Sequence, residues 1–219
     1  MIDLHTHTVF SDGVLIPAEL VRRAEVCDYT IIGIADHVDA SNIDFVIPRL
    51  VKVSKALNRV NRIRTIPCAE LTHIPPSQIS GLADEARALG ARVVIVHGET
   101  IAEPVAPGTN KAALSAGIDI LAHPGLITEQ EVQMASEVGI CIEITARKGH
   151  SLTNGHVARL SKKAGAKLIL SSDAHAPEDL ISDKWGKRVV LGAGLSVDDF
   201  KKMQKNALLL AQQAHPCNQ

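Results

Sequence analysis

The sequence predicts an α/β protein, a distorted (β/α)7 TIM-like barrel, on three observations. Short apolar runs alternate with stretches of helical spacing seven times along the chain. Those runs are largely apolar, as parallel strands covered on both faces are. Six of the seven end in histidine or carboxylate side chains, and the remaining one ends near Glu143. An open doubly wound sheet gathers its site at one switch point from two or three strands. Polar groups at almost every strand end meet only if the strands share a closed rim.

The elements follow in order. Strands are expected over 2–7, 30–37, 64–71, 92–99, 118–124, 139–145 and 167–175. Helices are expected near 17–28, 43–61, 78–90, 109–116, 128–138 and 153–164, with two more near 177–190 and 196–213. Pro17 suits a first helical turn, and Gly90, Gly117, Gly139 and Gly165 suit helix stops just before the next strand. Pro48 is expected to delay or kink the second helix, and Gly186 weakens the seventh. Side chains two apart share a strand face, so Asp3, His5 and His7 are expected to point inward together, as are Cys68 with Glu70, and Ser171 with Asp173 and His175. The whole of 1–219 reads as one domain, because α/β barrels of this length are ordinarily undivided.

Composition narrows the function classes. Hydrophobic residues make up 46% of the chain, enough for a sizeable core, and the scarcity of aromatics builds it from Ala, Val, Ile and Leu. A net charge of −1 gives no reason to expect nucleic acid or a membrane surface as partner. No apolar run approaches the roughly 18 residues of a membrane span. Nothing at the N-terminus resembles a signal peptide. The expectation is a soluble, cytoplasmic protein. Cys27, Cys68, Cys141 and Cys217 are scattered without paired spacing, which argues against a zinc knot or disulfide framework. Cys68 and Cys141, on strands, read as small buried hydrophobes.

Nine side chains carry the candidate chemistry: His5, His7, Asp12, His37, Glu70, His97, His123, Asp173 and His175. Two imidazoles two apart on one strand can bind one divalent ion. Taken singly, the other histidines would be ordinary core or loop residues, and Asp12 an Asp-Gly turn. Their shared position at strand ends argues for a multinuclear metal site. Three divalent ions against Asp12, Glu70 and Asp173 leave an excess of about +3, which favours an anionic substrate.

The run DLHTHTVFSDG, then ADH at 35–37, Glu70, His97, AHP at 122–124 and SSDAH at 171–175 resembles the polymerase and histidinol phosphatase (PHP) superfamily, in its stand-alone histidinol-phosphatase-like form. The resemblance spans almost the whole chain in order. It implies a distorted (β/α)7 barrel holding two or three divalent ions, zinc, manganese or iron. By position it implies one ion on His5, His7, Glu70 and Asp173, a second on Glu70, His97 and His123, and a third on Asp12, His37 and His175. Some relatives carry histidine where Asp12 stands. The reaction it implies is hydrolysis of a small phosphorylated metabolite by a hydroxide bridging the ions, with Glu70 and Asp173 at the catalytic centre.

Around this set the sequence leaves several roles open. Asp3 and Asp36 either orient ligating imidazoles or cap neighbouring backbone. Glu143 is a carboxylate behind the ligands, a proton-transfer group, or part of a buried polar network. Arg147 and Lys148 follow the sixth strand and are expected to hold phosphate, the alternative being a solvated basic loop. Ser151 or Thr153 could cap the next helix. His150 and His156 are candidates for leaving-group protonation, though each also suits an ordinary loop or helix start, while His73 and His215 carry no argument for function. The loop 98–110, with Glu99 and Glu103, is expected to shape the pocket. Amidohydrolase-type hydrolysis of C–N or lactone bonds is the nearest alternative. That superfamily commonly bridges its ions with a lysine at a middle strand end, where this chain has Glu70 and His97. A PHP-type nuclease and a non-catalytic metal scaffold complete the alternatives.

Overall fold

The computed structural model describes residues 1–213. His215 and Cys217 therefore lie outside the described residues. Among those residues the strands are β1 (Ile2–Asp3), β2 (Ile31–Ile34), β3 (His37–Val38), β4 (Arg64–Leu71), β5 (Val93–His97), β6 (Ile120–Ala122), β7 (Cys141–Thr145) and β8 (Leu168–Ser171). The helices are α1 (Pro17–Val26), α2 (Ile43–Leu57), α3 (Ile79–Ala88), α4 (Thr109–Leu114), α5 (Glu129–Val138), α6 (Asn154–Ala164), α7 (Asp183–Gly192) and α8 (Val197–Gln213). The strands pair in parallel in the order β1-β2-β4-β5-β6-β7-β8, and β3 continues the course of β2 alongside β4. The architecture is the nearly closed, distorted (β/α)7 barrel that the sequence predicts, and no described helix is long and apolar enough to cross a membrane.

Both strand faces are apolar because both are covered. Ile66, Cys68, Val93, Ile95, Ile120, Cys141 and Ile169 fill the barrel interior. Ile32, Ile34, Leu71, Val94, Val96, Ile142, Ile144 and Leu170 face outward onto the helices. Each such side chain, fully removed from water, contributes about 1.5–3 kcal/mol. Cys68 and Cys141 are thus small core residues, as expected. Polar groups concentrate at the C-terminal rim, where the two apolar layers end.

The sheet closes incompletely between β1 and β8. At the rim, His7 N–H donates to Ala174 O at 2.8 Å and Asp173 N–H to His5 O at 3.0 Å, around a parallel bridge from Thr6 to Ala174. Below it, α8 fills the gap. Gln204 accepts from Ile2 N–H at 2.8 Å and donates to Ile2 O at 3.1 Å, while Asn206 donates to Leu168 O at 2.8 Å. Ala207 and Ala211 enter the inner apolar cluster from this helix.

Three local expectations are corrected. α2 begins at Ile43 and runs through Pro48 undelayed. Pro48 and Asp44 both lie on the exposed face, so the Asp44 carbonyl that loses its helical donor can bond water. The seventh helix starts at Asp183, after a single 3-10 turn at Pro177–Asp179, and runs through Gly186. A Cβ at Gly186 would lie 2.9 Å from a Leu170 methyl and 3.2 Å from the Phe200 ring, so the missing side chain lets α7 pack close. Finally, β1 pairs only over Ile2–Asp3, and Ile2 and Leu4 enter the interior. Asp3 faces the seam instead of sharing the direction of the histidines.

Candidate metal centre

Each candidate side chain sits at or just past a strand end. His5 and His7 follow β1, His37 opens β3, Glu70 is the penultimate residue of β4, and His97 closes β5. His123 follows β6, and Asp173 and His175 follow β8. Asp12 comes from the turn after β1, which Asp36 organises by accepting from Thr8 N–H at 2.6 Å and Ser11 Oγ–H at 2.7 Å. His123 and Asp173 hold left-handed backbones, with φ of 24° and 53°. Non-glycine residues adopt that region at a cost of about 1–3 kcal/mol, and such strain clusters at functional sites.

All nine side chains converge. Glu70 lies at the middle, with Oε1 3.3 Å from His5 Nε2 and 3.6 Å from His123 Nε2. Its Oε2 is 2.6 Å from His37 Nδ1 and 3.7 Å from His7 Nε2. Asp173 Oδ1 is 3.1 Å from His7 Nε2, and its Oδ2 is 3.7 Å from His123 Nε2. Asp12 Oδ1 lies 3.1 Å from His175 Nε2 and 3.4 Å from His37 Nε2. Donor atoms of His7, Asp12, His37 and His175 fall within 4.8 Å of one another, as do those of His5, His7 and Glu70, and of His5, His123 and Asp173.

The residues fit metal ions on one internal observation. His5 Nε2, both ring nitrogens of His7, His123 Nδ1 and Glu70 Oε1 are buried without any hydrogen-bond partner. Buried polar atoms are ordinarily paired, so these unpartnered nitrogens and carboxylate oxygen, gathered in one place, call for a cation. The described residues can therefore chelate divalent ions at more than one place.

The electrostatics agree. Burial opposes charge on Glu70, but His5 and His37 outweigh it and hold the carboxyl well below its ordinary range. Asp173 is lowered against burial by His5 and His7, and Asp12 by His175 and His37. Burial disfavours a proton on His5, yet Glu70, Glu143 and Asp173 prevail and raise its pKa well above normal. His37 rises to about 10 in the same way, against burial, through Glu70 and Asp12. For His7 burial wins, and the ring falls to about 4. Protons on His5 and His37 thus hold the carboxylates together as bound cations would.

Partners behind these side chains resolve the open roles. Glu143 bonds His5 Nδ1 at 2.8 Å and accepts from His123 N–H at 3.0 Å, so it aims one imidazole and fixes the backbone of another. Among the described residues Asp3 and Asp36 reach no imidazole. Asp3 accepts from the His5 and Ser172 N–H groups, and burial raises its pKa to about 6. Both aspartates are backbone caps.

The flanking residues divide. Arg147 Nη1 pairs with Asp179 Oδ2 at 3.1 Å, and the same oxygen accepts from His175 and Ala176 N–H. Lys148 is exposed in a groove with Ser151, Trp185 and Val189 that contains none of the nine side chains. Neither Ser151 nor Thr153 caps α6; Asn154 instead bonds Thr145 through both its side-chain oxygen and nitrogen. His156 Nε2 is 2.7 Å from Ile127 O, a tether between loops away from the cluster. His150 does join the rim, stacked on His123 at 4.3 Å between ring centroids. Glu103 and His73 join it too, 3.0 Å apart, with Glu103 3.2 Å from His97. The sequence places Glu103 only in a loop expected to shape the pocket and gives His73, two residues past β4, no role. With Glu103 and Glu143 added, three divalent ions would face five carboxylates, leaving about one positive charge instead of three.

No protein-family model matches the chain. Solved structures share its fold at low identity. A chain of the cryo-EM structure of archaeal ribonuclease P with mature tRNA aligns with a TM-score of 0.74 at 16% identity, covering 98% of this chain and 91% of that one. Histidinol phosphate phosphatase from Lactococcus lactis, solved with zinc, L-histidinol and phosphate, aligns with a TM-score of 0.62 at 15% identity, covering 89% and 94%. In sequence, the uncharacterized protein MJ1295 of Methanocaldococcus jannaschii is 48% identical over 209 residues, 94% of either chain. That identity over nearly the full length places the chain in one family with MJ1295.

Proposed function

We propose that the chain is a metal-dependent phosphoesterase of the PHP type acting on a small phosphorylated metabolite. The observation that carries this reading is the convergence of eight ligand-type side chains with Glu70 on one rim, where His5, His7, His123 and Glu70 hold buried atoms without a hydrogen-bond partner. His5, His7, Glu70 and Asp173 would hold one ion, and Asp12, His37 and His175 another, with His7 close enough to contribute. His97 and His123 belong to a further ion on the β5–β6 side. Divalent ions at these places supply a coordinated water of lowered pKa and neutralise charge on a phosphoryl group.

The chain's own residues set up that chemistry. Glu143 keeps the Nδ1 edge of His5 engaged, so Nε2 faces the centre. Asp173 and Glu70 stay ionised against burial and would offer anionic oxygens to the ions. Arg147 uses one guanidinium nitrogen on Asp179 beside the His175 backbone, leaving other donors for a non-bridging phosphate oxygen. Lys148, turned into its separate groove, is a weaker candidate for that contact. Against an amidohydrolase reading, no lysine ends a middle strand, and Lys167 precedes β8 at the opposite end of the barrel.

Chelation followed by reconstitution tests the proposal on a panel of phosphorylated metabolites and p-nitrophenyl phosphate, with lactone, amide and oligonucleotide substrates alongside. Phosphomonoester turnover is expected to vanish on chelation and return with Zn²⁺, Mn²⁺ or Fe²⁺. Full turnover in stripped protein, or turnover of the lactones, amides or oligonucleotides alone, would overturn it.

A further inference from the structure

His150 and Glu103 stand on the rim with no part in the ligand sets assigned above. His150 is 7% exposed, and its Nδ1 lies 2.7 Å from Thr100 Oγ1. That contact fixes the ring and directs Nε2 at Glu103 Oε1, 3.3 Å away. Glu103 Oε2 is in turn 3.2 Å from His97 Nε2. One carboxylate therefore spans two buried imidazoles, one closing β5 and the other opening the 3-10 turn after β7.

We propose that His150 and Glu103 join His97 and His123 as ligands of one divalent ion, an assignment that rests on the metal-centre reading above. Four observations meet in it. Donor atoms of His97, His123 and His150 lie within 4.8 Å of one another, and His123 Nδ1 is buried with no partner. The Gly98 carbonyl 3.2 Å from His97 Nδ1 can only accept, so it takes the ring proton. That leaves Nε2 aimed at Glu103 Oε2, 3.2 Å away, where a shared cation can lie between nitrogen and carboxylate. The spacing suits that cation: with bonds of 2.0–2.2 Å, neighbouring ligands of a tetrahedral zinc lie about 3.3 Å apart. Finally, Glu70, the carboxylate expected for this ion, contacts His5, His7, His37 and His123, but among the described residues it makes no such contact with His97.

His73 supports the arrangement as a positioning residue. Its backbone is held at φ 53°, a strained value, and its Nε2 sits 3.0 Å from Glu103 Oε2. The four ligands differ in permanence. His150 is locked by Thr100, whereas Glu103 has a side chain 39% exposed on the loop after β5. Glu103 is therefore the ligand that an incoming anionic group replaces.

Cobalt binding to the chelator-stripped full chain tests this without any substrate. Unaltered protein, Glu103→Gln, His150→Ala and the milder His150→Gln are titrated with Co²⁺, reading ligand-field absorption and competition with a chelating dye. Circular dichroism identifies which variants fold. In folded variants one ion is expected to weaken by at least about tenfold, the lower end of what losing even an outer partner of a ligand produces. Its absorption band is expected to shift while the other ions stay. Equal affinities and spectra in all four proteins would overturn the assignment. Failure of the unaltered chain to bind any Co²⁺ would overturn it together with the metal centre. Spectral loss in the variants of a protein inactive on phosphoesters would support the ligands and remove only the reaction proposed above.

Discussion

Protons and metal ions compete for the same nitrogens at this rim. His5 and His37 gain protons because carboxylates outweigh burial, His37 to about 10. A raised histidine pKa stabilises the metal-free fold below its unfolded value near 6.5, and that contribution is lost as pH rises through about 10. Metal binding must expel these protons, so the sign for affinity is opposite: it rises with pH. The expected slope is about tenfold per pH unit for each proton displaced. Dye competition at pH 6, 7 and 8 measures the slope, and calorimetry in buffers of different ionisation heat counts the protons. A flat profile would show that the imidazoles bind metal from the neutral state. At this scale the candidate side chains past strand ends were legible as a set that meets, because the shared rim of the barrel brings strand ends together. Glu103 was legible only as part of a pocket-shaping loop and His73 not at all, since a turn or loop residue shows its direction only once the chain is folded. Glu143 was visible but ambiguous, because aiming His5 depends on a contact between β7 and the segment after β1.

The rim packs tightly where its loops cross. Apolar periodicity located seven of the eight described strands, the exception being the two-residue β3 that continues β2, and β4 has the predicted bounds of 64–71. The segment 2–7 was read as strand throughout, but its ladder with β2 covers only Ile2–Asp3, and beyond that it meets the β8 side through the isolated bridge from Thr6 to Ala174. Periodicity reports burial, and a half-open seam buries residues as a ladder does. The loop after β5 leans on the turn after β6 at Gly125, whose φ is 63°. A Cβ there would sit 1.8 Å from the Glu99 carbonyl oxygen. Gly125→Ala is expected to lose more than about 1–2 kcal/mol, the cost of the left-handed backbone alone. It should also weaken cobalt binding by displacing Thr100 and Glu103. Gly81→Ala, on α3 with open space around it, should instead stabilise by about 0.5–1 kcal/mol. Thermal denaturation of the two variants checks the contrast, and equal melting temperatures would refute it.

Over the whole barrel, closure is divided between two devices at opposite ends of one seam. Backbone bonds from His7 to Ala174 and from Asp173 to His5 join the rim, and so tie two candidate ligand segments directly together. Below them α8 substitutes for the missing strand pairing, with Gln204 satisfying both backbone groups of Ile2. Polar backbone groups in a seam must find partners, which explains a glutamine and an asparagine on the face of α8 that also carries Ala207 and Ala211. This division separates stability from site geometry. Gln204→Ala leaves the Ile2 N–H and C=O without their side-chain partners, at about 1–3 kcal/mol for each group left buried. A chain of this size loses about 2–4 °C of melting temperature per kcal/mol. The rim bonds stay intact, so the number of ions bound and their cobalt spectra should match those of the unaltered protein. Loss of ions at an unchanged melting temperature would show the reverse, that α8 sets the position of His5 and His7 and the rim bonds merely follow.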